Sequence, residues 1–141
     1  MLQDPESVLR AWYELVWNEG REDAIDELLA EDAKAHGLTD AEGNTARGPA
    51  SFKHVFYTFR TAFPDLQITL DEVVSQRDIC AVRCTVRGTH LGDSLGILAT
   101  GKKVEFTGMN FARIADGKIV EGWNNFDFAT MQAQLLPSGD A

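Results

Sequence analysis

After Pro64 the spacing of the apolar residues changes. Before it they recur every three or four positions, the period of a helix with one buried face. After it they alternate, the period of a half-buried strand. A chain with that order builds helices first and then a meander of long antiparallel strands. Its helices must bury their stripes on one face of the sheet, so the expected class is α+β with a curved sheet.

The local signals agree. Asp4-Pro5-Glu6 is a helix start: a capping carboxylate, Pro at the first helical position and an acid in the first turn. Val8, Trp12, Leu15 and Val16 follow on one face, and Asn18-Glu19-Gly20 ends the run. Ala24, Ile25, Leu28 and Leu29 mark a second, shorter helix. An extended segment over 33–38 carries His36, and polar residues 39–48 read as a loop. A third helix over 49–63 has Phe52, Val55, Phe56, Phe59 and Phe63 at helical spacing, until Pro64 stops it. Strands are expected over 66–70, 79–90, 104–115 and Lys118–Phe126, with a loop over 91–101 and a last helix over 128–136. Asp116-Gly117 joins the last two strands as a two-residue hairpin turn.

Charge narrows the function. Lys and Arg number 13 against 22 Asp and Glu, a net charge of −9, which repels nucleic acid and anionic lipid alike. No apolar run approaches the ~20 residues of a membrane-spanning helix, and the first ten residues lack the basic-then-apolar order of a signal peptide. The expectation is one cytoplasmic domain over residues 1–141, with neither nucleic acid nor membrane as partner. Cys80 and Cys84 fall on one face of a strand, ~13 Å apart, too far to bridge. They read as core residues. No metal-ligand spacing, nucleophile elbow or phosphate loop is visible, so no cofactor or metal is expected and any chemistry should be acid/base.

A regular ladder about Asp116-Gly117 pairs Ala112 with Glu121, Asn110 with Trp123, Gly108 with Asn125 and Phe106 with Asp127. One wall then carries Phe106, Gly108, Asn110, Glu121, Trp123, Asn125 and Asp127. The other carries Thr107, Met109, Phe111, Arg113, Val120, Asn124 and Phe126. The first wall mixes aromatics with amides and acids, the composition of a pocket. Asp127 against aromatic walls would have a raised pKa and serve as an acid and base; it also stands where it would cap the last helix. Both roles are open to it. His90, at the end of its strand, is a ligand-facing base or an ordinary edge histidine. His36 faces the same choice. The apolar loop over 91–101, with Leu95, Ile97 and Leu98, suggests a lid or a covered patch.

Phe63-Pro64-Asp65-Leu66, Arg87-Gly88-Thr89-His90-Leu91-Gly92, Ala99-Thr100-Gly101-Lys102, and Asp116 through Trp123 with Asp127 resemble the SnoaL-like polyketide cyclases. These belong to the nuclear-transport-factor-2-like superfamily. The resemblance runs from the first helix to Gln134-Leu135. It implies a cone-shaped half-barrel of three N-terminal helices on a curved, mainly antiparallel sheet. It further implies cofactor-independent aldol closure of a polyketide ester, with Asp127 as the acid/base and His36 and His90 as pocket histidines. Trp12, Phe106, Asn110, Trp123 and Asn125 are the expected contacts to a small apolar or aromatic substrate. Relatives commonly form homodimers through the sheet, for which Met109, Phe111, Val120 and Phe126 are suited. Two positions depart from the family pattern: Gly122 stands where His is frequent, and Ala99 where Pro is frequent. The competing readings are an epoxide hydrolase-like enzyme with an Asp–Arg–Asp set, a ketosteroid isomerase-like enzyme, and a non-catalytic binder of an apolar metabolite.

Overall fold

The computed structural model describes residues 4–137, so the single-domain expectation over 1–141 extends beyond it at both ends. Helix α1 (Pro5–Ala11) starts as expected, with Asp4 accepting the Ser7 N–H at 3.0 Å. It does not continue as an α-helix. Trp12–Asn18 winds as a π-helix, closed by Glu19 N–H to the Glu14 carbonyl at 2.8 Å. Bonds five residues apart widen the turn, and Trp12, Tyr13, Val16 and Trp17 are all buried. The expected single α-helical stripe with Leu15 is corrected there, Leu15 being only half-buried.

Helix α2 (Asp23–Leu28) leads into β1 (Leu29–Thr39), longer than the predicted extended segment. Within the predicted loop lies a short strand, β2 (Thr45–Arg47). Helix α3 (Gly48–Ala62) buries Phe52, Val55 and Phe56 as its stripe requires. Strands β3 (Gln67–Gln76), β4 (Ile79–Thr89), β5 (Lys103–Ala115) and β6 (Lys118–Phe126) form the meander, followed by α4 (Phe128–Leu135). The order across the open six-stranded sheet is β2-β1-β6-β5-β4-β3. Only β1 and β6 run parallel among these neighbours. Asn18 ties the π-helix to edge strand β3, giving its Nδ2 to the Ile68 carbonyl at 3.0 Å and accepting the Ile68 N–H at 2.6 Å. No helix among the described residues is long and apolar enough to cross a membrane.

Strand β5 alternates without a break, burying Val104, Phe106, Gly108, Asn110, Ala112 and Ile114 under the helices. Its partner does not alternate. Ile119 faces Ile114, but Arg113 then faces Glu121, so Val120 is an extra residue in a β-bulge. Beyond the bulge Gly108 pairs with Phe126, Asn110 with Asn124 and Phe111 with Trp123. The regular register of the sequence reading is therefore one residue out, and every side chain past Val120 changes face. The reason is electrostatic: a regular ladder would have driven the Glu121 and Asp127 carboxylates into the apolar layer without partners.

Candidate functional site

Two surfaces result. Under the helices lies an apolar cavity of about 70 Å³. Trp12 and Trp17 come to it from the π-helix, Phe52 and Phe59 from α3, and Phe106, Asn110 and Ala112 from β5. Trp12 meets Phe52 edge-on at 5.0 Å, and Trp17 meets it at 6.0 Å. Phe128 stacks on Phe59 at 5.4 Å and on Phe126 at 5.9 Å, and Phe106 lies 6.1 Å away, completing an aromatic wall. Gly108 makes room for it: a Cβ there would come within 2.2 Å of the Phe126 ring. Of the predicted contacts, Trp12, Phe106 and Asn110 do line this cavity.

The cavity lining holds no carboxylate and no imidazole among the described residues. An Asp–Arg–Asp set is accordingly not assembled inside it; Arg83 pairs with Glu72 at 3.3 Å, both exposed. The polar groups are Asn110, Asn124, Tyr13 and, from β1, Lys34. Asn110 is 5% exposed. Its Nδ2 donates to the Asn124 Oδ1 at 2.9 Å and to the Trp123 carbonyl at 3.2 Å, while Asn124 Nδ2 donates to the His36 carbonyl at 3.0 Å. Tyr13 was missed by the periodicity, which expected an α-helix. Trp12 and Trp17, two large aromatics five residues apart, carry the spacing of a π-turn and are the signal that could have found it. Burial holds the Tyr13 phenol well above its ordinary pKa of 10.0, with the Cys84 and Cys80 thiols adding to the effect. Both cysteines are free and buried, and burial pushes the Cys84 thiol to about 11.

Trp123 and Asn125 do not face the cavity. They lie on the outer side of the sheet, in a groove with Arg83, Met109, Phe111 and Asp127. His36 joins this side: its Nε2 lies 2.6 Å from the Glu121 Oε2, and its ring stacks on Trp123 at 5.4 Å. Asp127 caps α4, its Oδ1 accepting the Thr130 N–H at 3.0 Å and its Oδ2 the Thr130 O–H at 2.6 Å. Those bonds, the hydroxyl's first, hold the carboxyl below its ordinary value of 3.8. The expected rise from aromatic burial is corrected, because the bulge leaves the group in solvent. His90 is fully buried beside the Phe63 ring at 5.8 Å. Its Nδ1 accepts the Thr100 N–H at 3.1 Å, anchoring the end of the 91–101 loop, and its Nε2 has no partner among the described residues. His36, His90 and Asp127 are thus not brought together.

The description of the SnoaL-like polyketide cyclases matches residues 7–135. This chain belongs to that family. IdmH of Streptomyces antibioticus, a proposed polyketide cyclase, is 36% identical, with 93% of this chain and 97% of that one aligned at a TM-score of 0.80. AclR of Streptomyces galilaeus, a proposed hydroxylase, shares the fold at 24% identity and a TM-score of 0.79, over 95% of this chain and 85% of its own. A SnoaL-like protein of Jannaschia sp. does so at 17% identity and 0.81, over 93% and 90%. No curated protein matches the sequence. The helices on an open mixed sheet agree with the nuclear-transport-factor-2-like cone shared by these relatives. Gly122, the position that departs from the family's frequent His, lines the cavity beside Asn110, and its missing side chain leaves the cavity without an imidazole there.

Proposed function

We propose that this protein takes a small apolar or aromatic carbonyl compound into the cone and acts on it by cofactor-independent acid/base chemistry, as a SnoaL-like cyclase. The observation that carries the reading is the cavity: an almost wholly apolar chamber with a few converging polar groups, in a chain of this family. Its free space of about 70 Å³ is well below the ~300 Å³ of an ordinary ligand pocket, so substrate entry displaces part of the aromatic wall. Phe126 and Phe128 belong to that wall and flank Asp127 in the chain. In this reading α4 shifts to open the chamber and carries Asp127 from its capping position toward the substrate. Asp127, ionised at neutral pH, acts from there as the base that removes a proton α to the carbonyl. The resulting carbanion attacks a second carbonyl of the same molecule and closes the ring, and the protonated Asp127 returns its proton to the alkoxide that forms.

Asp127→Asn tests this, because Asn keeps an oxygen that caps the helix through the Thr130 N–H and lacks the base. With a panel of aromatic polyketide methyl esters followed by mass spectrometry, turnover should fall by at least ~100-fold. Full activity in the variant overturns the catalytic assignment. The cap itself favours a second reading, a binder of apolar metabolites in which Asp127 only ends the helix; binding without turnover of every ester would establish it. We propose further that two copies meet through the outer sheet face, where Met109 and Phe111 are 58% and 55% exposed. Sedimentation should give a dimer for the wild type and a monomer for Phe111→Glu; a monomeric wild type rejects the assembly.

A further inference from the structure

The two halves of the 91–101 loop are held by different chemistry. The first half caps α3: the Leu91 and Gly92 N–H groups donate to the Ala62 carbonyl at 2.9 and 3.3 Å, and Ser94 Oγ donates to the Thr58 carbonyl at 2.5 Å. No group in those bonds titrates near neutrality. The second half returns to His90. The His90 N–H donates to the Lys102 carbonyl at 2.9 Å and the Gly101 N–H to the His90 carbonyl at 2.8 Å, which closes the neck of the loop. The imidazole then accepts the Thr100 N–H on Nδ1 at 3.1 Å, with Thr100 Oγ1 also 3.1 Å from that nitrogen. From the same neck Lys102 Nζ donates to the Leu136 carbonyl at 3.0 Å, so it holds the end of α4 as well.

A backbone N–H can only donate, so Nδ1 carries a lone pair and the single proton of the neutral ring sits on Nε2. That nitrogen is buried without a partner among the described residues. A second proton would turn Nδ1 into a donor facing the Thr100 N–H. It would also create a cation on a side chain with 0% exposure.

No charged group on the surrounding segments offsets that cation. At the end of α3, Asp65 is committed to the Thr89 N–H and O–H, both at 2.7 Å, and the Phe63 ring beside the imidazole supplies no acceptor. In the loop, Asp93 accepts the Ala99 N–H at 2.6 Å. On the outer face of β4 and β5, Arg87 and Glu105 pair with each other at 2.9 Å. Lys102 and Lys103 carry the same sign as the new charge, and α4 has no titratable side chain.

We propose that His90 is a proton-operated latch. Neutral, it holds the neck of the 91–101 loop and with it the end of α4; charged, it releases both. The latched form binds one proton fewer, so latching is complete at higher pH and is lost as pH falls. Its bearing on turnover rests on the reading that α4 shifts to admit substrate; the latch itself does not.

Hydrogen exchange of the wild-type amides, with the imidazole nitrogens followed by NMR, tests it. At about pH 8 the ring should be the Nε2–H tautomer, with Thr100 and Gly101 protected. At about pH 5 the ring should be charged and both protection factors should fall about tenfold or more, with Leu136 following. Leu91 and Gly92, bonded to α3, should keep theirs; equal loss there overturns the latch. His90→Asn keeps an acceptor bonded to Cγ and takes up no proton, so Thr100 should change by less than about twofold over the same range. A loss in that variant equal to the wild type's overturns the proposal. In wild type alone, so does a ring still neutral at about pH 5, or a charged ring with Thr100 still protected; these arms decide if the variant does not fold. None of the readouts uses a ligand, so full turnover by Asp127→Asn would reject the catalytic reading and leave the latch standing.

Discussion

The two faces of the sheet carry the same kinds of residue to opposite effect. On the buried face Trp12, Phe52 and Phe106 line an apolar chamber, and the amides of Asn110 and Asn124 spend their donors on the protein. On the outer face Trp123, Phe111 and Met109 meet ionisable groups: His36 on Glu121, and Asp127 on Thr130. Val120 divides them. One extra residue in β6 turns Glu121 and Asp127 outward and brings Asn124 inward beside Asn110. The lesson is that aromatics and acids adjacent in sequence need not share a site, because a single bulge decides which face each one joins.

The contrast breaks most visibly under truncation. Phe52→Ala should cost about 3–5 kcal/mol by urea unfolding, since its ring is buried between Trp12 and Trp17. A cost as small as that of an exposed residue would mean the chamber wall is not packed. The Asp127 charge should show in the pH dependence of stability. Its folded-state pKa is below the ordinary value, so its contribution is complete above the ordinary range and is lost as pH falls through the lowered one. Wild type should therefore be more stable than Asp127→Asn at neutral pH, and the two should converge in strong acid. A smaller effect is expected for Glu121→Gln, about 0.2–1 kcal/mol, because the His36 pair is one-third exposed on both sides. Phe111→Ser should change the stability of the dilute protein by no more than about 0.5 kcal/mol. A large loss there would show that the outer face is already buried against something.

Much of this was legible in the sequence. Asp116-Gly117 turns as its composition requires, with φ of 53° and 76°. The stripe of α3 and the buried face of β4, including Cys80 and Cys84, lie where their periods put them. The bulge was not legible, because Ile119 and Val120 are both apolar and alternation alone cannot say which one is extra. That single ambiguity moved Trp123, Asn125 and Asp127 to the wrong face and hid Asn124 and Phe126 from the cavity. The π-helix was missed for a related reason: period 3.6 accounts for Val8, Trp12 and Val16, and Tyr13 and Trp17 become informative only at a wider turn. His36 was placed in its strand correctly, but its partner Glu121 followed from the bulge.

The central claim is that the chamber, and not the outer groove, receives the ligand. A crystal structure of the protein soaked with an aryl ketone such as 2-acetylnaphthalene tests it most directly. The ring should lie among Trp12, Phe52 and Phe106, with Phe128 displaced. Density instead on Trp123 and His36, with the aromatic wall undisturbed, would contradict the account.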